Sequence, residues 1–185
     1  MTDTFYITTP IYYVNSHPHI GHAYTTIVTD VLTRFHKLFG DDAYFLTGTD
    51  EHGQKIVESA SKAGVDPQEF VDRISQEFLE MWPHLHIEFD QFIRTTDAEH
   101  KICVQQILQK IYDQDEIYLK EYEGLYCVGC ERFLDESELE NGNCQDHQIR
   151  PEFYQEKNYF FRMSAYQDWL LEELKNNESW IYPGR

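Results

Sequence analysis

Short apolar runs that alternate with amphipathic segments are the feature that most restricts the fold of this chain. The first run, residues 4–8, is aromatic and β-branched, which favours a buried strand. Residues 43–47 and 89–94 are two further strand-like runs, and helical signals follow each of the three. Strands that alternate with helices in this way predict βαβ units and a mostly parallel sheet. We therefore expect an α/β fold in residues 1–114.

The segment after the first run predicts a long amphipathic helix. Pro18 stands where this helix is expected to begin, because proline is common at the first helical position. From Ala23 onward, apolar residues recur at helical spacing and mark one face of the helix. They are Ile27, Val28, Val31, Leu32, Phe35, Leu38 and Phe39.

The next helices carry start and stop signals of their own. Gly64 is expected to end a helix over residues 54–63. Asp66 and Pro67 then form an N-cap and a first helical residue, and Pro83 is expected to stop that helix. A capping box at residues 96–99 opens a further helix.

The pattern changes near residue 115. Residues 117–161 contain short aromatic runs and turn signals with no good helix between them, which predicts a small β-rich module over residues 115–162. A last helix is expected in the segment 163–185, with Trp169, Leu170 and Leu174 as its apolar stripe. Cys103, on the helix before this module, is interpreted as a small core residue.

Four residues of the β-rich module have the spacing of metal ligands. They form a Cys-x2-Cys pair followed by a Cys-x2-His pair: Cys127, Cys130, Cys144 and His147. Three thiolates and an imidazole suit tetrahedral Zn²⁺, and four protein ligands leave no open position for a substrate. We predict a structural zinc; the alternative is disulfides or free thiols, although three cysteines cannot all pair.

The loop between the first strand and the first helix is the first candidate for substrate binding. His19 and His22 lie one turn apart where the helix begins, with Gly21 between them. Unpaired N–H groups and the helix dipole at such a position suit an anion, and imidazoles can add donors to phosphate oxygens. The alternative is a helix start that happens to be rich in histidine. A second polar loop, residues 48–53, follows the second strand and is either a ligand loop or a simple turn.

The overall charge bears on partners and location. The chain of 185 residues has 15 basic against 33 acidic side chains, a formal net charge of −18, which argues against binding nucleic acid through bulk electrostatics. No stretch is long and apolar enough to span a membrane, and the N-terminus does not look like a secretion signal. A cytoplasmic protein without a membrane partner is expected; the sequence leaves its oligomeric state open.

Several motifs together resemble one enzyme family. The sequence Pro-Ile-Tyr-Tyr-Val-Asn at residues 10–15, followed by His-Ile-Gly-His at residues 19–22, is similar to the "HIGH" signature of class I aminoacyl-tRNA synthetases. Residues 47–53, 92–96 and 122–127 resemble the methionyl-tRNA synthetases among them. The resemblance runs in order from about Thr4 to the last residue.

The resemblance implies a fold, a reaction and residue roles. It implies the first half of a Rossmann-type catalytic domain, interrupted by a connective-peptide insertion that carries a zinc knuckle. It implies attack of the methionine carboxylate on the α-phosphorus of ATP, supplied with Mg²⁺, and transfer of the methionyl group to tRNA(Met). The implied site residues are His19 and His22 for catalysis; Asn15, His19, Gly21 and His22 for ATP; and Ile11, Tyr13 and Asp50 for methionine. Ordinary core packing is the alternative for Ile11 and Tyr13.

The family's second signature, Lys-Met-Ser-Lys-Ser, is absent from this sequence. We therefore expect an N-terminal portion of such an enzyme, without the anticodon-binding domain and with little or no activity alone. Two alternatives remain open. One is a class I synthetase of the leucine, isoleucine or valine type, and the other is a non-enzymatic zinc-bearing interaction module derived from a synthetase.

Overall fold

A computed structural model of the chain describes residues 2–177, 180 and 181. The chain forms two compact units, Met1–Val104 and Gln105–Arg185. Residues 178, 179 and 182–185 of the predicted last segment lie outside the described residues. In the part of the chain that the structure describes, no helix has both the length and the apolar character needed to cross a bilayer.

The first unit is built on a parallel sheet, as the alternating pattern predicts. Its strands are β1 (Thr4–Thr8), β2 (Tyr12–Tyr13), β3 (Asp42–Asp50) and β4 (Gln91–Arg94). Strand β3 is central: it pairs in parallel with β1 and β2 along one edge and with β4 along the other. The α/β fold expected for this region is confirmed.

Strands β1 and β2 pair one after the other with the same edge of β3. Thr8 pairs with Leu46 and Tyr12 with Thr49. Between these pairs, residues 9–11 lie opposite only two residues of β3, 47 and 48. Pro10 falls in this interruption, where a missing N–H removes no ladder hydrogen bond. The hydroxyl oxygens of Thr9 and Thr47 are 2.7 Å apart and link the two strands there.

Four helices follow strands β1 to β4, and the last of them runs from the first unit into the second. They are α1 (Ile20–Leu38), α2 (Gln54–Ala63), α3 (Pro67–His84) and α4 (Ala98–Asp113). The predicted caps at Gly64 and Asp66 are confirmed, and the Asp66 carboxylate accepts from the Gln68 N–H at 2.8 Å. The core of the unit lies where α2 and α3 pack with β2 and β3. Its buried residues are Tyr12, Val14, Phe45, Ile56, Ala60, Phe70, Val71, Ile74, Phe78, Trp82 and Ile87.

Three predicted helix boundaries were wrong. Helix α1 begins at Ile20 and not at Pro18, because the His19 side chain caps it. Helix α3 continues past Trp82 to His84 with Pro83 inside its last turn. Helix α4 begins one residue later than the capping box at residues 96–99 predicts, because the Thr96 hydroxyl donates to Glu51 instead.

Helix α1 buries a polar face, whereas its sequence predicts that the apolar face is buried. Its buried residues are Thr26, Thr29, Asp30 and Thr33, whereas the predicted apolar face is exposed, with Val31 at 57% and Leu38 at 81%. The three threonine hydroxyls donate to the carbonyl groups four residues earlier, at 2.8–3.0 Å. Their polar groups are therefore satisfied within the helix, and their methyl groups can be buried without an unpaired hydroxyl.

The second unit contains the β-rich region. Strands β5 (Ile117–Cys127), β6 (Arg132–Leu134) and β9 (Glu152–Phe161) form an antiparallel sheet in the order β6-β5-β9. Strands β7 (Leu139–Glu140) and β8 (Asn143–Cys144) form a hairpin, and the predicted turn at Asn141 and Gly142 joins them. Helix α5 (Gln167–Asn176) follows, with the side chains of Trp169 and Leu170 exposed.

Helix α4 has no buried residue in the described structure. The prediction that Cys103 is a core residue was therefore wrong, because this thiol is exposed. Ile102, Ile107 and Leu108 on the same helix are each about half exposed. The helical spacing of these residues is real, but about half of each side chain stays exposed in the described structure.

Two truncations distinguish the core from the exposed face of α1. Ile74→Ala removes a side chain that is 2% exposed and is expected to lower the free energy of unfolding by about 2–5 kcal/mol. Val31→Ala removes a side chain that is 57% exposed and is expected to change it by less than about 0.5 kcal/mol. Urea unfolding of both variants measures the difference, and an equal loss would show that the α1 face is covered in solution.

Candidate active site

The carboxyl ends of the parallel strands bring the polar loops of the first unit to one edge of the sheet. Tyr13 and Asp50 are partners at the ends of β2 and β3, and Thr49 is paired with Arg94 at the end of β4. The chain runs from β2 through residues 14–19 into α1. Ligands bind at this edge in open α/β sheets, so the candidate site is assembled from these strand ends and the start of α1.

Two histidines cap helix α1 with their own side chains. His19 is the N-cap residue, and its Nδ1 accepts a hydrogen bond from the Gly21 N–H at 3.1 Å. The His22 Nδ1 accepts from the His19 N–H at 3.2 Å, which completes a reciprocal capping box. The two rings are stacked with centroids 3.7 Å apart. Serine, threonine, aspartate or asparagine usually fills the N-cap position, and here a histidine fills it.

The caps decide which nitrogen of each ring carries the proton. A ring nitrogen that accepts a hydrogen bond is unprotonated, so each neutral imidazole carries its proton on Nε2. Neither Nε2 atom has a hydrogen-bond partner among residues 2–177, 180 and 181. The start of α1 therefore presents two ring N–H donors beside the positive end of the helix dipole.

His22 is held in the neutral form by its surroundings. Its ring lies 4.7 Å from the Tyr12 ring and 5.1 Å from the Phe78 ring, measured between centroids. Burial lowers the pKa of His22, and the neighbouring His19 lowers it further. The caps and the pKa therefore favour the same protonation state, with Nδ1 accepting and Nε2 donating.

Gly21 has a role in this arrangement that the sequence did not indicate. A Cβ atom at residue 21 would lie 3.0 Å from Cε1 of the His19 ring, closer than ordinary contacts allow. A side chain there would require the ring to shift by a few tenths of an ångström.

The other predicted site residues also lie at this edge. Asp50 ends β3, beside Tyr13 of β2. Ile11 and Tyr13 are 40% and 47% exposed, so core packing does not account for them. Asn15 is exposed in the loop that leads to α1. The structure thus gathers the predicted residues at the strand ends and the start of α1; the role of each stays a prediction.

A buried ion pair lies behind this edge, and its role was missed at the sequence level. The Glu51 carboxylate accepts from Arg94 Nε at 2.7 Å and Arg94 Nη2 at 2.9 Å, from the Thr49 hydroxyl at 2.7 Å, and from the Thr96 hydroxyl. Burial raises the pKa of Glu51, but these hydrogen bonds outweigh it and hold the pKa below its ordinary value. The sequence contained one signal for this pair: an acidic residue follows β3 and a basic residue ends β4. The ends of neighbouring parallel strands lie side by side, so these two residues can meet.

The predicted metal ligands of the second unit form a separate cluster. The ligand atoms of Cys127, Cys130, Cys144 and His147 all lie within 4.8 Å of one another. The Cys130 sulfur is 3.4 Å from the Cys144 sulfur and 3.2 Å from His147 Nδ1. Tetrahedral ligands at Zn–S and Zn–N distances are separated by about 3.4–3.8 Å, so the cluster has the dimensions of a Zn²⁺ site.

Local structure and chemistry support this fit. A Cβ atom at Gly129 would lie 2.5 Å from the His147 ring, so the absence of a side chain lets the two ligand turns approach. Burial raises the pKa of Cys144, but hydrogen bonds from His147 and Cys130 lower it more, to about 6. The hydrogen bond with Cys144 raises the pKa of Cys130 in turn, to about 12, so Cys144 is the thiolate of this pair in the absence of metal. Thiolates are the form that binds metal, and the donor set of three sulfurs and one imidazole suits zinc.

Comparisons with known proteins agree on one family. The family described as class I tRNA synthetases (M) matches residues 5–145. The methionine–tRNA ligase of Caldanaerobacter subterraneus is 50% identical over 99% of this chain, and that of Thermotoga maritima is 47% identical over 97%. This chain spans 29% of the length of each of these two relatives.

A solved structure gives the same result. Mycobacterium tuberculosis methionyl-tRNA synthetase in complex with methionyl-adenylate matches with a TM-score of 0.89 and 41% identity. The match covers 96% of this chain and 36% of that protein. The α/β sheet of the first unit is therefore a synthetase catalytic fold.

The pH dependence of stability tests the neutral state of His22. Because its pKa is lower in the folded chain than the ordinary 6.5, the unfolded chain binds the proton first as pH falls. The stability that neutral His22 contributes is thus present above about pH 6.5 and is lost as pH falls through the folded pKa. We expect the stability difference between wild type and His22→Gln, measured by urea unfolding, to shrink on acidification.

The matched control is His84→Gln, which removes an exposed histidine from the last turn of α3. Its stability difference from wild type is expected to change less over the same pH range. A wild-type advantage over His22→Gln that grows on acidification would contradict the neutral state.

Proposed function

The chain belongs to the class I tRNA synthetases of the methionine type, and from that premise we propose that it supplies part of a site that activates methionine. In the proposed reaction the methionine carboxylate attacks the α-phosphorus of ATP, which gives methionyl-adenylate and pyrophosphate. The methionyl group then passes to the terminal ribose of tRNA(Met). The observation that carries the proposal is the pair of imidazole Nε2–H donors at the start of α1, next to the strand end that bears Asp50.

We assign the two histidines to the α-phosphate of ATP, which the methionine carboxylate attacks, and to the pyrophosphate that leaves. Negative charge develops on the pentacoordinate phosphorus and on the departing pyrophosphate. His19 and His22 would donate to these oxygens from Nε2, and the caps hold both rings in the donating tautomer before the substrate arrives. Donors that need no reorganisation stabilise a transition state most, and removal of one commonly costs a factor of about 10²–10³ in rate.

The remaining roles follow from position and charge. Asp50 would hold the ammonium group of methionine, because a partly buried cation needs a paired carboxylate. Ile11 and Tyr13 would contact the methionine side chain with surface that is exposed in the described structure. Gly21 and Asn15 are assigned to the nucleotide, and ATP would enter with Mg²⁺.

The finer fold assignment is also a proposal. We assign the first unit to the first half of a Rossmann-type domain, residues 115–162 to an inserted connective peptide with a zinc knuckle, and residues 163–185 to the return segment. Two features support a second half of the Rossmann-type domain. Strand β1 pairs along only one edge in the described residues, and the apolar face of α1 is exposed. Both features are those of a sheet and helix that another αβ unit covers.

We propose that the cysteine cluster holds a structural Zn²⁺, which would fix the β6–β8 region. All four ligands would come from the protein, so the ion would have no position for a substrate. A protein with these partners is expected in the cytoplasm, and that location stays a prediction. The names of the relatives do not favour the leucine, isoleucine or valine type, or a non-enzymatic module.

Zinc content tests the proposed metal site. The wild-type chain is expected to bind about one Zn²⁺, and Cys144→Ser to lose it, because a hydroxyl is a poor replacement for a buried thiolate. Cys103→Ser is the matched control, since Cys103 is exposed and outside the cluster. Elemental analysis measures the metal, and amide hydrogen exchange should show that chelator unfolds residues 126–148 first. A chain with much less than one zinc and a fold indifferent to chelator would contradict the site.

Binding of a non-hydrolysable methionyl-adenylate analogue tests the proposed function. His19→Asn keeps a short acceptor for the α1 cap but lacks a donor at the Nε2 position, so calorimetry should show affinity about tenfold lower with little loss of stability. Asp50→Asn should weaken binding by a similar factor, and wild type should prefer the methionyl over the leucyl analogue. Equal affinity for the two analogues, or no effect of either substitution, would sink the proposal.

Activity of the purified chain alone is expected to be at or near background. The sequence has no Lys-Met-Ser-Lys-Ser stretch to meet the phosphates opposite the two histidines. Methionine-dependent ATP–pyrophosphate exchange measures this, and clear turnover by the chain would overturn the expectation.

A further inference from the structure

Glu51 is a charged side chain that is fully buried. Its side chain has no exposed surface, and it lies between Asp50 and His52 in the loop that joins β3 to α2. A buried carboxylate is stable only when it is paired and hydrogen-bonded, and here two nitrogens of Arg94 and two hydroxyls supply the donors. Such a pair adds little net stability compared with apolar packing, so stability alone does not explain it.

The pair fastens the loop of Asp50 to neighbouring elements. The Glu51 N–H donates to the Thr95 hydroxyl at 2.8 Å, and the His52 ring lies 3.3 Å from the Thr95 carbonyl oxygen. Arg94 also donates to Asp72 of α3 at 2.5 Å. The loop is thus connected to the end of β4 and, through Arg94, to α3.

The adjacent carboxylates of Asp50 and Glu51 have different surroundings. Successive side chains at the end of a strand point to opposite sides, and Glu51 takes the inner side, where Arg94 neutralises it. The Asp50 carboxylate accepts from the His52 N–H at 3.5 Å and forms no ion pair with a Lys or Arg among the described residues. Its charge is therefore available to a cationic group of a ligand.

We propose that Glu51 and Arg94 are positioning residues for the amino acid substrate: their ion pair holds Asp50 toward the substrate ammonium and keeps the arginine from neutralising it. The inference rests on the proposed function, because it takes the Asp50 ligand to be an α-ammonium group. Arg94 touches no substrate in this scheme and acts only through Glu51. The charge of Asp50 and the geometry of its loop are both set by the residue that follows it.

The matched variants are Glu51→Gln and Asp72→Asn. Each removes one carboxylate that accepts from the same arginine, but only Glu51 lies in the loop of Asp50. Glutamine keeps the shape of the side chain, and Arg94 keeps Asp72 as a partner. Arg94→Lys is the second variant, since it keeps the charge and loses the two-nitrogen contact.

The ligands are methionine and 4-(methylthio)butanoate, which lacks only the amino group, titrated into the ¹⁵N-labelled full chain and followed by NMR. Glu51→Gln is expected to weaken methionine binding about tenfold and to leave the deaminated analogue within about twofold. Arg94→Lys should fall between, and Asp72→Asn should leave both affinities within about twofold. Amide hydrogen exchange at residues 50–53 should rise in Glu51→Gln more than in the rest of the unit.

The outcomes separate the two proposals. Equal weakening of both ligands by Glu51→Gln shows a purely structural role and overturns the inference. Unchanged exchange at residues 50–53 shows that the pair does not hold the loop and also overturns it. If Asp50→Asn removes the preference for methionine while Glu51→Gln does not, the proposed function stands and the inference fails. A wild-type chain with no preference for methionine over the deaminated analogue contradicts the proposed function itself.

Discussion

The site depends first on two hydrogen bonds that backbone N–H groups donate to imidazole nitrogens at the start of α1. These N–H groups have no partner within a helix and would otherwise need water or another acceptor. Because His19 and His22 accept them at Nδ1, the same side chains that begin the helix become donors at Nε2. A motif that serves as a helix cap thereby also presents two donors, which we propose bind phosphate oxygens; one substitution can separate the two roles.

The second constraint comes from the parallel sheet, which places the carboxyl ends of neighbouring strands side by side. Parallel pairing places the loop after β3 beside the loop after β4. There Glu51 and Arg94 form a buried pair, and Asp50 has no Lys or Arg partner among the residues that the structure describes. The charge of the site is thus distributed in two layers, with neutralised groups inside and one available carboxylate at the edge. In the proposed reaction, the imidazole donors would face the phosphate of an activated amino acid and this carboxylate would face its ammonium group.

Local signals predicted much of this arrangement. The strand-like runs, the caps at Gly64 and Asp66, the turn at residues 141–142 and the spacing of the four metal ligands each depend on a few neighbouring residues, and the structure has them as expected. The exposed apolar faces of α1 and α4 could not be predicted, because periodicity identifies a face without saying what covers it. The partnership of Glu51 with Arg94 was missed because it joins residues 43 positions apart, which no local pattern reports.

The most direct measurement is the state of the two imidazoles in the ligand-free chain, read from ¹⁵N NMR of the ring nitrogens at about pH 7.5, where unperturbed histidine is neutral. We predict that His19 and His22 each show an unprotonated Nδ1 and a protonated Nε2, as the capping hydrogen bonds require. His19→Ala should leave the His22 ring less well fixed. Rings that carry the proton on Nδ1, or that exchange freely between the two tautomers, would contradict a site built from the helix cap.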